Sequence, residues 1–126
     1  MPSARYATQS PALPLMCAWV LVAAVVYLSL STTIIQLPND PGGKYAHVAA
    51  YAAIMFCFSH AYREPRAAVI PAAVLFALGV GLEYVQGYAG YRNFERADVV
   101  ADAVGIGLGW LLGFGSTRAF RRTNAA

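Results

Sequence analysis

Four apolar runs, separated by polar segments carrying proline and glycine, set the plan of this chain. Leu13 to Ile35 reads "LPLMCAWVLVAAVVYLSLSTTII" and holds no charge. A membrane-spanning helix needs about 20 mostly apolar residues, and this run supplies them. "LPNDPGGK" follows, with two prolines and two glycines that mark a loop. Tyr45 to Tyr62 is the second run, and "REPR" is a short turn after it. Ala67 to about Tyr88 is the third run, with Pro71 in its first turns, where a helix tolerates proline best. "AGYRNFERA" forms the third loop, and Asp98 to Gly115 is the fourth run. The pattern predicts an all-α, polytopic membrane protein: a bundle of four transmembrane helices over residues 13–115. Residues 1–12 form an N-terminal tail and residues 116–126 a basic tail.

Composition agrees. Of 126 residues, 59% are hydrophobic and 12% charged, and the mean hydropathy is +0.51. Soluble domains carry about 25% charged residues. The net charge of +3 does not indicate nucleic acid, because the basic residues fall between and beyond the apolar runs rather than in a patch among aromatics. The first run exceeds the usual length of a signal-peptide core, only Arg5 precedes it, and no clear small-x-small cleavage site follows, so it is expected to remain as a span. Cys17 and Cys57 lie inside apolar runs and read as small apolar fillers.

Lysine and arginine asymmetry orients such a bundle. The two tails and the second loop hold Arg5, Arg63, Arg66, Arg118, Arg121 and Arg122, against one acid, Glu64. The opposite side holds Lys44, Arg92 and Arg96, with Asp40, Glu83, Glu95, Asp98 and Asp102. Both termini are therefore expected in the cytoplasm and the acidic face outside it.

That outer face gathers an unusual set of polar residues. Lys44, His47 and Tyr51 follow an i, i+3, i+7 spacing, one stripe of a helix. Glu83 and Gln86 share a face of the third helix. Asp98, Asp102, Gly105, Gly109 and Gly113 share a face of the fourth, acidic at its outer end and glycine below. The overlapping G-x-x-x-G spacings let another backbone approach closely, so the acidic end is expected to meet a helix rather than lipid. Ionisable residues in spans are functional-site candidates by default. Tyr84, Tyr88, Tyr91 and Phe94 read as an interfacial aromatic belt, and His60 as an interface residue at the other end.

With these residues aligned, the chain resembles the VanZ-like family of small bacterial membrane proteins. The family pattern runs Lys-x-x-His-x-x-x-Tyr, then Glu-x-x-Gln, Arg, an acid, Asp, Asn and two glycines at fixed intervals. Lys44, His47, Tyr51, Glu83, Gln86, Arg92, Glu95, Asp98, Asp102, Gly105 and Gly109 follow those intervals, so the likeness covers residues 44–109. Three positions depart: Asp102 stands where asparagine is usual, Glu95 where aspartate is usual, and Gly43 where an acid often precedes the lysine. The resemblance implies a cell-envelope role at the bacterial cytoplasmic membrane, linked to glycopeptide (teicoplanin) resistance, and names no reaction.

Three functional expectations follow. The first is a non-enzymatic pocket for an envelope lipid, a lipid-linked precursor or the glycopeptide, with Lys44 and Arg92 meeting phosphate. The second is a membrane enzyme acting on an envelope lipid or glycan, with His47 as general acid or base oriented by Glu83 or Asp98. The third is a polar lock that only holds helix ends in register. A histidine with several carboxylates could also ligate a divalent metal, but no His-x-x-x-His or similar spacing marks such a site, so no metal or cofactor is expected. A small drug exporter, which would fit four spans and this length, is disfavoured by the lack of a charge in the first run.

Overall fold

The computed structural model describes residues 10–31, 38–90 and 93–126. Among them it is all-helical: α1 spans Ala12–Leu30, α2 Lys44–Ala61, α3 Val69–Ala89 and α4 Arg96–Ala125, with a 3-10 turn Pro41–Gly43 before α2. Three helices, α1, α3 and α4, are long and apolar enough to cross a membrane. The shortest helix, α2, has 18 residues and carries Lys44, His47, Ser59 and His60 along its length. Residues 32–35 of the first apolar run, Arg5, Tyr91 and Arg92 lie outside the described residues.

The chain runs up and down. Gln86 near the end of α3 reaches Ser29 near the end of α1. Lys44 at the start of α2 meets Glu95 and Asp98 at the start of α4. At the opposite end, Ser116 of α4 lies beside His60 of α2.

The α2–α4 pair is the main packing unit, and glycine makes it possible. A Cβ at Gly105 would lie 2.6 Å from the Val48 carbonyl oxygen, and one at Gly109 would strike the Ala52 carbonyl. At Gly113 it would strike the Ser59 side chain, 2.8 Å from Oγ. These three glycines are buried, while Gly107 and Gly115 on the other face meet nothing within 4 Å. Lipid tails are as apolar as leucine, so close packing rather than hydrophobic exclusion holds such helices together. The stripe faces α2.

Tyr51, Ile54, Met55 and Phe58 of α2 form the centre of the core, against Ala18, Leu75, Ile106 and Phe114. Trp19 of α1 packs edge-on to Phe58 at 5.7 Å. The outward faces are apolar as well: Tyr27, Val20, Ile70, Val74, Leu111 and Leu112 are each more than half exposed. Water-soluble monomers rarely show so much continuous apolar surface.

One boundary differs from the expectation drawn from hydropathy. The fourth apolar run ends at Gly115, but α4 continues without a break to Ala125. No proline or left-handed glycine stops it. Ser116 and Thr117 turn their hydroxyls back onto the carbonyls of Gly113 and Phe114. The basic tail is thus the last turns of α4.

Substituting Gly109 by alanine is expected to wedge α2 from α4. Overpacking of this kind destabilises by about 1–3 kcal/mol. Gly107→Ala, facing open space, should be neutral or stabilising by up to about 1 kcal/mol, the helix-propensity gain. Thermal melts of both variants in detergent check this, and equal melting of Gly109→Ala and wild type would contradict the close α2–α4 contact.

Candidate functional site

The loop before α2 is built to aim Lys44. Gly42 and Gly43 have φ of +80° and +75°, a region open to glycine and strained for other residues. Gly42 is also where the Lys44 ammonium folds back, 2.9 Å from the position a Cβ would take. Upstream, the Asp40 carboxylate accepts hydrogen bonds from the Tyr45 and Ala46 backbone N–H groups at 3.0 and 3.1 Å. Those are donors that a helix start leaves unpaired. Asp40 therefore caps α2 and takes no part in the cluster above it.

Lys44 Nζ lies 3.0 Å from Glu95 Oε2 and 3.9 Å from Asp98 Oδ1. The Lys44 and Glu95 side chains are 39% and 45% exposed, so their pair contributes about 0.2–1 kcal/mol. Below this rim the environment changes. Glu83, Asp98 and Asp102 are 2%, 1% and 1% exposed. Asp98 sits in the first turn of α4, where the helix dipole favours a carboxylate. Glu83 accepts a hydrogen bond from the Glu95 main chain.

His47 is the hinge between rim and interior. Its Nδ1 lies 2.7 Å from Asp102 Oδ1. An ionised carboxylate only accepts, so Nδ1 donates and, in the neutral ring, Nε2 keeps its lone pair. The spacing of the motifs suggests Glu83 or Asp98 as the group orienting His47; the His47 hydrogen bond instead goes to Asp102, one turn deeper. At a rise of 1.5 Å per residue, Asp102 is about 6 Å below Asp98. Tyr51, one turn along α2, is parallel to His47 with ring centroids 6.4 Å apart.

Gly79 is a site residue that the motif spacing does not mark. A Cβ there would lie 2.6 Å from Asp102 Oδ2 and 3.1 Å from the Tyr51 hydroxyl. It is four residues before Glu83, on the same stripe of α3, and its missing side chain lets α3 close over the acid. Gln86, on that stripe too, points elsewhere. Its amide donates to the Ser29 carbonyl at 2.9 Å, tying α3 to the last turn of α1.

The structure thus brings Lys44, His47, Tyr51, Glu83, Glu95, Asp98 and Asp102 to one end of the bundle. Arg92 lies outside the described residues. Tyr84 and Phe94 pair with ring centroids 5.0 Å apart, and Tyr88 is 98% exposed, an outward aromatic set at the same end.

His47 and Asp102 should be energetically coupled. In a cycle of His47→Ala, Asp102→Ala and the double variant, unfolded in detergent, the losses should fall short of additivity. Groups in direct contact show about 0.5–3 kcal/mol of interaction. Strict additivity would mean that the hydrogen bond contributes nothing to the fold.

The comparisons add no family to this geometry: no protein-family model, no curated protein and no solved structure matches the chain.

Proposed function

We propose that this chain is a multi-pass protein of the bacterial cytoplasmic membrane, VanZ-like in kind. Its extracytoplasmic polar pocket engages an envelope lipid, a lipid-linked precursor or a glycopeptide, and so contributes to teicoplanin resistance. The observation that carries this reading is the convergence of Glu83, Asp98 and Asp102, all nearly inaccessible, around a His47 side chain that stays 18% exposed. Burying three carboxylates in an apolar bundle is costly. A sequence that keeps them together, with a basic rim residue and a reachable imidazole, is built to meet something polar.

In this reading all four helices cross the bilayer. At 18 residues α2 is about 27 Å long, close to the hydrocarbon thickness of about 30 Å. It tolerates more polar residues than α1 because its neighbours α1 and α4 cover it. Both termini are cytoplasmic, which follows from the distribution of arginine and lysine.

A second reading has one specific support. The His47–Asp102 hydrogen bond is the arrangement of a general base with its orienting carboxylate. A membrane enzyme acting on an envelope lipid or glycan would use Nε2 of His47 to take or give a proton at a ligand hydroxyl or ester.

Topology is tested first. In a chain with Cys17 and Cys57 replaced by serine, Asn39→Cys should react with an impermeant thiol reagent in intact cells, and Ser116→Cys should not. The reverse pattern would place the acidic cluster in the cytoplasm.

Function is tested in a sensitised bacterium expressing the chain. Wild type should raise the inhibitory concentration of teicoplanin. Glu83→Gln and His47→Ala should abolish that rise at normal membrane abundance. Full activity of both variants, or a loss that merely tracks abundance, would leave the cluster as a polar lock between helices.

A further inference from the structure

His47, Glu83 and Asp98 come from three different helices, α2, α3 and α4. One donor atom from each lies within 4.8 Å of the other two. Bonds of about 2.0–2.2 Å from a metal to imidazole nitrogen and carboxylate oxygen put neighbouring donors roughly 3–3.5 Å apart. Binding would therefore require the Glu83 and Asp98 side chains to rotate inward from their present spacing.

Two further observations separate this cluster from an ordinary group of acids. The first is the setting of the imidazole. Asp102 engages Nδ1 at 2.7 Å, which fixes the tautomer and leaves Nε2 as the ring nitrogen able to ligate. Metal-bound histidines almost always carry such a carboxylate or carbonyl on their other nitrogen. The second is Asp102 itself. It is 1% exposed, yet its Oδ2 has no hydrogen-bond partner among the described residues. A buried carboxylate oxygen in that state calls for added positive charge nearby. Lys44 supplies some, but it lies nearer to Glu95 than to Asp98 and is exposed enough to swing onto Glu95 alone.

We propose that His47, Glu83 and Asp98 bind one divalent transition-metal ion at the polar end of the bundle, with Asp102 as the positioning residue behind His47. One imidazole with two carboxylates suits a zinc- or manganese-type ion; calcium and magnesium sites are built from oxygen alone. Three protein ligands leave a coordination position open, as in catalytic rather than structural zinc sites. A phosphate or carboxylate oxygen of an envelope ligand fits that position. This last step rests on the pocket reading above; the metal site itself does not. The partly exposed side chain of His47 gives access from the rim, where the Lys44–Glu95 pair lies.

The test uses the full chain, purified in detergent through a tag free of histidine and stripped with EDTA. Zinc, manganese and magnesium are titrated separately against a chromophoric chelator, and bound metal is counted after desalting. Wild type should retain one equivalent of zinc or manganese per chain and no magnesium. His47→Ala, Glu83→Gln and Asp98→Asn should each lose the equivalent, and Asp102→Asn should weaken binding about 10–100-fold. X-ray absorption at the zinc edge of the loaded wild type keeps the proposal open to refutation even where a variant fails to fold. One imidazole with oxygen ligands is expected there. Absence of stoichiometric metal in folded wild type, a shell without imidazole, or wild-type affinity in His47→Ala would overturn the proposal. None of these readouts involves teicoplanin, so a protein that binds metal but confers no resistance refutes the envelope role alone.

Discussion

A carboxylate taken out of water must be matched by donors, a cation or a proton, and this demand governs one end of the bundle. Asp102 makes it most sharply, since it is buried one turn below the rim. Its Oδ1 is met by His47. That bond occupies one nitrogen of an imidazole that has the Glu83 and Asp98 carboxylates within 4.8 Å. The rim answers to the same demand: Lys44 is held over the acids by two consecutive left-handed glycines, Gly42 and Gly43. The acids, His47 and Lys44 come from three helices, α2, α3 and α4, so the electrostatics of one end depend on the packing of the whole.

Packing, in turn, depends on what is missing. Gly105, Gly109 and Gly113 let the backbones of α2 and α4 touch, and this close approach carries Asp102 to His47. Gly79 does the same for α3 against Asp102 and Tyr51. With side chains at those four positions the carboxylates would be held apart from the imidazole, in lipid or in water. The acidic end and the glycine stripe are therefore one device: small residues bring the helices together, and the charged residues make use of the resulting contact.

Much of this is legible in the sequence, for physical reasons. Polar residues in an oily chain stand out, and helical periodicity places them on faces. The apolar runs, the end of the bundle at which Lys44, His47, Glu83, Asp98 and Asp102 gather, and the partner-facing role of Gly105 and Gly109 all follow from spacing alone. What spacing does not carry is rotation between helices. Nothing in the chain says that His47 meets Asp102 rather than Asp98, since both lie on one stripe. That a histidine and several acids could ligate a metal is legible, but which of them form the trio is not, since it is split across three helices with no paired-ligand interval. Gly79 goes unmarked because Gly81, two residues on, looks equivalent, and only the packed structure shows that Gly81 faces open space. The end of α4 is misplaced at Gly115 because loss of hydropathy marks the edge of a membrane span, whereas a helix ends only where its hydrogen bonding is interrupted.

The four-residue repeat on α4 raises a question of register. Asp98 and Asp102 are four apart, as are Gly105, Gly109 and Gly113, so a slide of one turn, about 6 Å, that carries Asp98 to the place of Asp102 would replace acid by acid and glycine by glycine. The repeat alone cannot tell the two settings apart. Its two flanks can. Sliding α4 one way brings the methyl group of Ala101 to where Gly105 sits, against the Val48 carbonyl oxygen. Sliding it the other way brings Thr117 to the place of Gly113, against Ser59, and Ile106 to the place of Asp102, opposite His47. Two modest side chains, neither of them charged, act as end stops on a sliding scale and fix which aspartate the histidine meets.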